Sequence, residues 1–325
     1  MAAPAAASVA LATVFITGAH GFIGKHLART LAAAGHRVCG LGHGIWPDAE
    51  AAAWGVSHWL NGDLSASNLN GLRQLAGPPD VVMHLAGGAS VSAAIAQPKE
   101  DFVRTVASTV ELFEWLRQAS PKTRVVAVSS AAVYGAGHYG PIGEDAALTP
   151  FSPYGHHKLM MESLCRSYGA SYGLRSAVAR LFSVYGAGLR KQLLWDLCGK
   201  LDAGKAQVEL GGSGTELRDW TDVRDVVRAL ALLPALAAAE VPTFNLGSGI
   251  ATPVREVATQ LRSAWAPAGG GPGLAFSGQS RAGDPFSLQA DAGRLSTLGF
   301  AWQVPLHQGL ADYVRWFRGR SQERF

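Results

Sequence analysis

Residues 13–24 read TVFITGAHGFIG. A β-branched, apolar run from Thr13 to Thr17 passes straight into Gly18, Gly21 and Gly24, and an apolar helical pattern follows from Phe22 to Ala34. Strand, glycine turn and helix in that order gather free backbone N–H groups at the positive end of a helix dipole, which is what a pyrophosphate requires. Three glycines at this spacing can arise by chance in a chain with 39 glycines among 325 residues, against about 7% in ordinary proteins. The strand-turn-helix context turns the pattern into an expectation of dinucleotide binding.

Outward from this stretch, short apolar runs alternate with helix-length amphipathic segments through the first 180 residues. Candidate strands are Thr13 to Thr17, Arg37 to Leu41, His58 to Asn61, Val81 to Leu85, Val125 to Ser129 and Ser176 to Leu181. The alternation predicts βαβ units, hence an α/β fold with a Rossmann-type, doubly wound parallel sheet. Phe102, Val103, Val106, Val110, Phe113 and Leu116 recur near a 3.6-residue period, predicting one helix with these side chains in the core. Beyond residue 182 the pieces shorten, and a Gly/Pro-rich loop runs from Pro267 to Gly273. The expected organisation is a dinucleotide-binding half over residues 1–181 and a smaller α/β substrate lobe over 182–325, interleaved with the first.

With 48% hydrophobic and 16% charged residues, the chain can bury a large core. Its net charge of +4 comes from 28 basic and 24 acidic residues without a run of five like charges, so no nucleic-acid partner is expected. A mild positive bias suits an anionic small molecule, although dispersed surface lysine and arginine is its commoner origin. Cys39, Cys165 and Cys198 are far apart and form no CxxC pair, which predicts reduced thiols in a cytoplasmic protein and no metal site. The opening MAAPAAASVALA lacks a basic leader and reads as a frayed terminus, and the apolar run at 229–239 is short and holds Pro234. No membrane segment is expected.

A dinucleotide site usually carries an acid after its second strand, bonded to the ribose 2′-hydroxyl of NAD. Here that position falls in Leu41-Gly42-His43-Gly44, without a carboxylate. His43 can weakly favour a 2′-phosphate, but no arginine is present to hold it, so NAD and NADP stay open with a lean to NADP. Asp63, after the SHWLN strand, either accepts from the adenine amino group or serves the Asn61-Gly62-Asp63 turn.

Residues 152–158 read SPYGHHK. Ser152 as N-cap and Pro153 at the first helical position start a helix, placing Tyr154 and Lys158 one turn apart on one face. On an ordinary surface helix this is a solvated pair. Beside a ligand, a lysine ammonium lowers the tyrosine pKa from about 10 toward the range of a useful base. The strand VVAVS supplies that context: it ends at Ser129 and Ser130, where open α/β sheets place their ligands. His156 and His157 point in different directions and read as helix-surface residues rather than a metal pair.

These residues together resemble the extended short-chain dehydrogenase/reductase family, in particular its NAD-dependent epimerases and dehydratases of nucleotide sugars. The resemblance spans nearly the whole chain: TGAHGFIG at 17–24, HLAGGASV at 84–91, SSAAVYG at 129–135, YGHHK at 154–158, RLFSVYG at 180–186, RDWTDVRDV at 218–226 and RAGDP at 281–285. It implies that Ser130, Tyr154 and Lys158 are the catalytic triad. Gly18, Gly21, Phe22, Ile23, Gly24, His43, Asp63, Leu64, Leu85, Ala86 and Lys158 would face the cofactor. Ser130, Tyr154, Ser183, Arg218 and Arg281 would face the nucleotide-sugar substrate, the arginines taking its diphosphate or ribose. Related enzymes commonly dimerise through a four-helix bundle, which makes Phe102 to Leu116 and Tyr154 to Tyr172 candidates for a homodimer contact.

The chain departs from the family pattern at several positions. Where the 4,6-dehydratases carry Asp and Glu after the catalytic Ser/Thr, Ala131 and Ala132 stand, which disfavours elimination of water and, equally, decarboxylation. Thr105 and Ser183 replace asparagines usual in the family. The leading expectation is UDP-sugar C4 epimerisation through a transient 4-keto sugar. The alternatives are an NADPH-dependent 4-keto reductase and a catalytically inactive dinucleotide-binding regulator.

Overall fold

The computed structural model describes residues 11–204, 206–279 and 285–319. Strands β1 (Thr13–Thr17), β2 (Arg37–Gly42), β3 (Val56–Asn61), β4 (Val81–His84) and β5 (Arg124–Ser130) match the expected runs to within two residues. β6 (Pro141–Ile142), β7 (Arg175–Leu181), β8 (Ser183–Tyr185), β9 (Gln207–Leu210) and β10 (Leu217–Asp222) follow. The last four are β11 (Thr243–Leu246), β12 (Ala251–Pro253), β13 (Gly273–Phe276) and β14 (Ser287–Ala290). The helices of the first half are α1 (Phe22–Ala33), α2 (Asp48–Ala53), α3 (Ala66–Ala76), α4 (Val91–Ala96), α5 (Pro98–Phe102), α6 (Ser108–Ala119) and α7 (Pro153–Tyr172). Those of the second half are α8 (Gln192–Asp202), α9 (Val223–Leu232), α10 (Val254–Trp265), α11 (Gly293–Ser296) and α12 (Leu306–Gly319).

Seven strands form one parallel sheet in the order β11-β7-β5-β4-β1-β2-β3. Because side chains alternate along each strand, Val14 and Ile16 of β1 join a core under α1 and α9, while Phe15 enters the opposite core under α3, α6 and α7. Val126 and Val125 of β5 divide the same way. Both faces are covered, which is why these strands read as continuous apolar runs rather than alternating ones. The order reverses between β1 and β4, and that crevice at the strand ends is where open α/β sheets take ligands.

After residue 182 the chain builds most of a second, five-stranded sheet, joining β12, β10, β14 and β8 to β6 of the first half, and a β13-β9 pair, yet returns β11 to the large sheet. Helices α8, α10 and α12 close a separate core around Leu197, Leu261, Leu310 and Phe317.

The segment from Phe102 to Leu116 corrects one expectation. A π turn over Val103–Ala107 interrupts the helix between α5 and α6. Its wider winding shifts the helical phase. Phe102, Val103 and Val110 are consequently exposed, at 41%, 52% and 36%, while Val106, Phe113 and Leu116 are buried as expected. Asp101, Thr105, Thr109 and Leu112 take the inward face instead.

Candidate active site

The β1–α1 turn shows why glycine stands there. Gly18 has φ +74°, and a Cβ on it would lie 3.0 Å from the Ala86 backbone nitrogen, so the turn abuts the end of β4. A Cβ at Gly24 would run into the Gly18 carbonyl oxygen and the Ala19 backbone, so its absence lets α1 start close to the strand. Behind the turn, Thr17 Oγ1 accepts from the Ala86 N–H at 3.1 Å and bonds His84 Nδ1 at 2.8 Å, while His84 Nε2 meets Thr109 Oγ1 at 3.0 Å. Burial pushes His84 down to about 3, so this bridge is neutral and structural.

A cleft of about 1930 Å³ runs along the C-terminal ends of β1, β2, β4 and β5 and on between the two sheets. That is well above the usual ~300–1,000 Å³ of a single small-molecule site, and matches a dinucleotide with a second ligand beside it. Gly18, Gly21, Phe22, Ile23, Gly24, His43, Asp63, Leu64, Leu85 and Ala86 all line it, as do Ser130, Tyr154, Lys158, Ser183 and Arg218. Arg281 lies outside the described residues, as does the opening segment read as a frayed terminus up to residue 10. The glycine cradle at the N-terminus of α1 fits a pyrophosphate. Just after β3, Asp63 Oδ1 lies 3.1 Å from His43 Nε2 and both side chains are largely exposed; the Asp63 backbone oxygen also holds the turn by accepting from Asn68 Nδ2 at 2.7 Å.

At the far end of the crevice, β5 delivers Ser130 and α7 delivers Tyr154 and Lys158. Ser152 Oγ accepts from the Gly155 N–H at 3.1 Å and Pro153 opens the helix, the capping that the sequence predicts. Ser130 Oγ accepts from the Ala132 N–H at 3.2 Å, and its hydroxyl acts on the Tyr154 phenol to lower its pKa. Lys158, 3% exposed, donates from Nζ to the Val128 carbonyl at 2.9 Å and sits 5.9 Å from the Tyr154 ring centre. Burial raises the Tyr154 phenol above its usual value, outweighing the Ser130 hydrogen bond, with the Asp101 charge adding to the rise. The lowering expected from the lysine is therefore not reached by the chain's own groups. Burial also lowers Lys158 to about 8, against the pull of Asp101 and Glu162.

His157 is the second correction. His156 is exposed, as expected, but His157 is buried, and its Nδ1 lies 2.5 Å from Oδ2 of buried Asp101. The phase of α7 that turns Lys158 into the cleft also turns His157 toward α5. Sequence reading missed Asp101 and the role of Thr105, whose Oγ1 accepts from the Gly88 N–H at 2.8 Å. The available signal was their spacing, four apart on one helical face. Arg218 lies on β10 and donates to the Leu217 and Phe286 carbonyls at 2.8 and 3.3 Å, and Ser183 on β8 pairs with Trp220 of the same strand. Ala131 and Ala132 follow Ser130 in the cleft wall, so no carboxylate stands there. Among the described residues there is no cluster of metal-ligating side chains and no helix long and apolar enough to cross a membrane.

Comparison with known proteins agrees with this geometry. The chain is 32% identical to a UDP-glucose 4-epimerase of Azospirillum brasilense, covering 95% of this chain and 93% of that one. The solved structure of MoeE5 in complex with UDP-glucuronic acid and NAD superposes with a TM-score of 0.82 at 35% identity, covering 95% of this chain and 99% of that one. The UDP-glucose 4-epimerase of Thermus thermophilus in complex with NAD gives 0.83 at 27% identity, over 94% and 99%. With residues 14–247 matching the family model, the chain belongs to the NAD dependent epimerase/dehydratase family.

Proposed function

We propose that the protein is a nucleotide-sugar epimerase inverting C4 of a UDP-sugar through a transient 4-keto sugar. The observation that carries this reading is the meeting of Ser130, Tyr154 and Lys158 at one end of a cleft that also holds the glycine cradle, with alanines where elimination would need an acid-base pair. Bound NAD supplies the reversible hydride acceptor for C4. Tyr154 Oη takes the C4 hydroxyl proton and later returns one, Ser130 orients the hydroxyl and keto oxygens, and Lys158 favours the phenolate by its charge. Gly18, Gly21 and Gly24 would hold the pyrophosphate, with Arg218 and Arg281 on the substrate diphosphate or ribose. We take NAD as the cofactor, because the similar solved structures of MoeE5 and of the Thermus thermophilus UDP-glucose 4-epimerase are complexes with NAD. In this reading residues 1–181 mainly carry the dinucleotide and 182–325 the sugar nucleotide, in the cytoplasm.

NMR of the purified protein with UDP-glucose, UDP-galactose, their N-acetyl forms and UDP-glucuronic acid, with NAD and no reductant, tests the proposal. Anomeric signals of a C4 epimer are expected at constant nicotinamide absorbance. Tyr154→Phe should lose at least ~100-fold in turnover while still binding NAD. The missing carboxylate after β2 favours a second reading, a 4-keto reductase; consumption of NADPH with a keto sugar, and no epimer, would establish it. Exposed Phe102 and Val110, with Met160 and Tyr172 on α7, support a homodimer through these helices, which sedimentation equilibrium checks directly.

A further inference from the structure

Lys191 stands just before α8, its side chain exposed to the cleft that it lines. Its Nζ donates to the Ala89 carbonyl at 3.1 Å, and among the described residues no carboxylate partners it. Two other cations of the cleft wall differ: Arg104 holds Glu100, and Lys200 holds Asp196 at 2.6 Å. Partial desolvation in the cleft holds the Lys191 ammonium below the usual lysine range. The next residue, Gln192, has φ +66°, a left-handed conformation that a non-glycine residue adopts at some cost and that collects at binding sites.

Its position says which anion. Ala89 lies two residues beyond Gly87, and a Cβ on Gly87 would be 3.1 Å from Lys158 Nζ, so Lys191 reaches the loop that borders the catalytic end of the cleft. In a UDP-hexose undergoing reaction at C4, C6 is separated from C4 by C5 alone, whereas the diphosphate leaves from C1 across the ring. We infer that Lys191 binds a carboxylate at C6, making a UDP-hexuronic acid the preferred substrate over a neutral UDP-hexose. This rests on the epimerase reading.

The test compares wild type, Lys191→Met and Lys191→Arg on UDP-glucuronic acid and UDP-glucose. Wild type should favour the uronate in kcat/KM. The methionine variant should lose roughly 10- to 100-fold on the uronate, mainly through KM, as expected for one hydrogen bond between charged groups. Its loss should be at least ~10-fold larger than that on UDP-glucose, and arginine should restore most of it. Equal losses on both substrates would assign Lys191 to the diphosphate and overturn the inference, as would a wild type that does not favour the uronate. Calorimetric titration of both sugars in a Tyr154→Phe background reads the same discrimination without turnover. Discrimination there that depends on Lys191, with no conversion of either sugar by wild type, would overturn the epimerase reading and sustain the carboxylate site; binding without discrimination would overturn the site.

Discussion

Burying an ammonium costs a fold free energy wherever the group stays charged, and Lys158 stays charged only below about pH 8. The unfolded chain keeps that proton up to 10.5. Between the two values the unfolded state binds more protons, so stability rises with pH across that window, and the full penalty applies below it. The shift corresponds to about 3 kcal/mol, a net figure that already contains the hydrogen bond to the Val128 carbonyl. Lys158→Met should therefore stabilise the protein by up to about 3 kcal/mol at pH 7, and the advantage should shrink toward pH 10. Denaturant melts at the two pH values check this; a variant weaker than wild type at pH 7 contradicts it. Ser130 acts in the opposite direction on its neighbour, since its hydrogen bond lowers the Tyr154 phenol. Ser130→Ala should cut turnover at pH 7 roughly 10- to 100-fold and move the rising limb of the kcat–pH profile to higher pH, with part of the loss recovered there.

The helices that frame this chemistry separate what sequence discloses from what it withholds. The start of α7 was legible because capping is local: Ser152 and Pro153 act within three residues of themselves. The strands were legible because a sheet covered on both faces demands unbroken apolar runs. The break between α5 and α6 was not, because a π turn leaves no composition signal and periodicity assumes constant winding. His157 escaped for a different reason, since its partner Asp101 is 56 residues away and on another helix. The Lys158 and Tyr154 pair declared itself by spacing, but its electrostatics did not: the opposing effect of burial appears only once the core is built. The Asp101–His157 pair joins α5 to α7 in a buried setting, with side chains 6% and 11% exposed. His157→Ala leaves a carboxylate without its partner and should cost about 3 kcal/mol. Asp101→Ala in addition should cost less than the sum of the single changes by at least ~1 kcal/mol. Strict additivity in a double-mutant cycle would show that the two side chains do not act as a pair.

At the scale of the whole molecule, the two sheets must keep a fixed relation, because one carries the triad and the other carries Arg218. A buried polar network spans the joint. Arg180 of β7, 1% exposed, donates to Glu162 of α7 at 2.9 and 2.7 Å, and to the Tyr134 hydroxyl and Glu144 carbonyl, each at 2.9 Å. The Tyr134 hydroxyl donates to Asn245 Oδ1 of β11 at 2.7 Å, and Asn245 Nδ2 donates to the Ile142 carbonyl at 2.8 Å, on the β6 strand that pairs with β14 of the second sheet. Glu162 also accepts from Ser129 Oγ at 2.7 Å, next to the catalytic Ser130. Burial would raise the Glu162 carboxyl, but the hydrogen bonds and charge of Arg180 outweigh it and hold the group below its ordinary 4.5. A carboxyl depressed by folding stabilises the native state above its unfolded value, and that contribution is lost as pH falls through the folded one. Glu162→Gln keeps the shape, removes the charge and leaves Arg180 buried without a counterion, so it should cost about 3 kcal/mol at pH 7. The deficit should narrow once the pH drops below 4.5, where the unfolded wild-type chain takes up a proton that the native carboxyl still resists. Melts of both proteins between pH 7 and pH 3.5 decide the matter: a gap that stays constant with pH would mean that packing around Glu162, and not its charge, holds the two sheets in register.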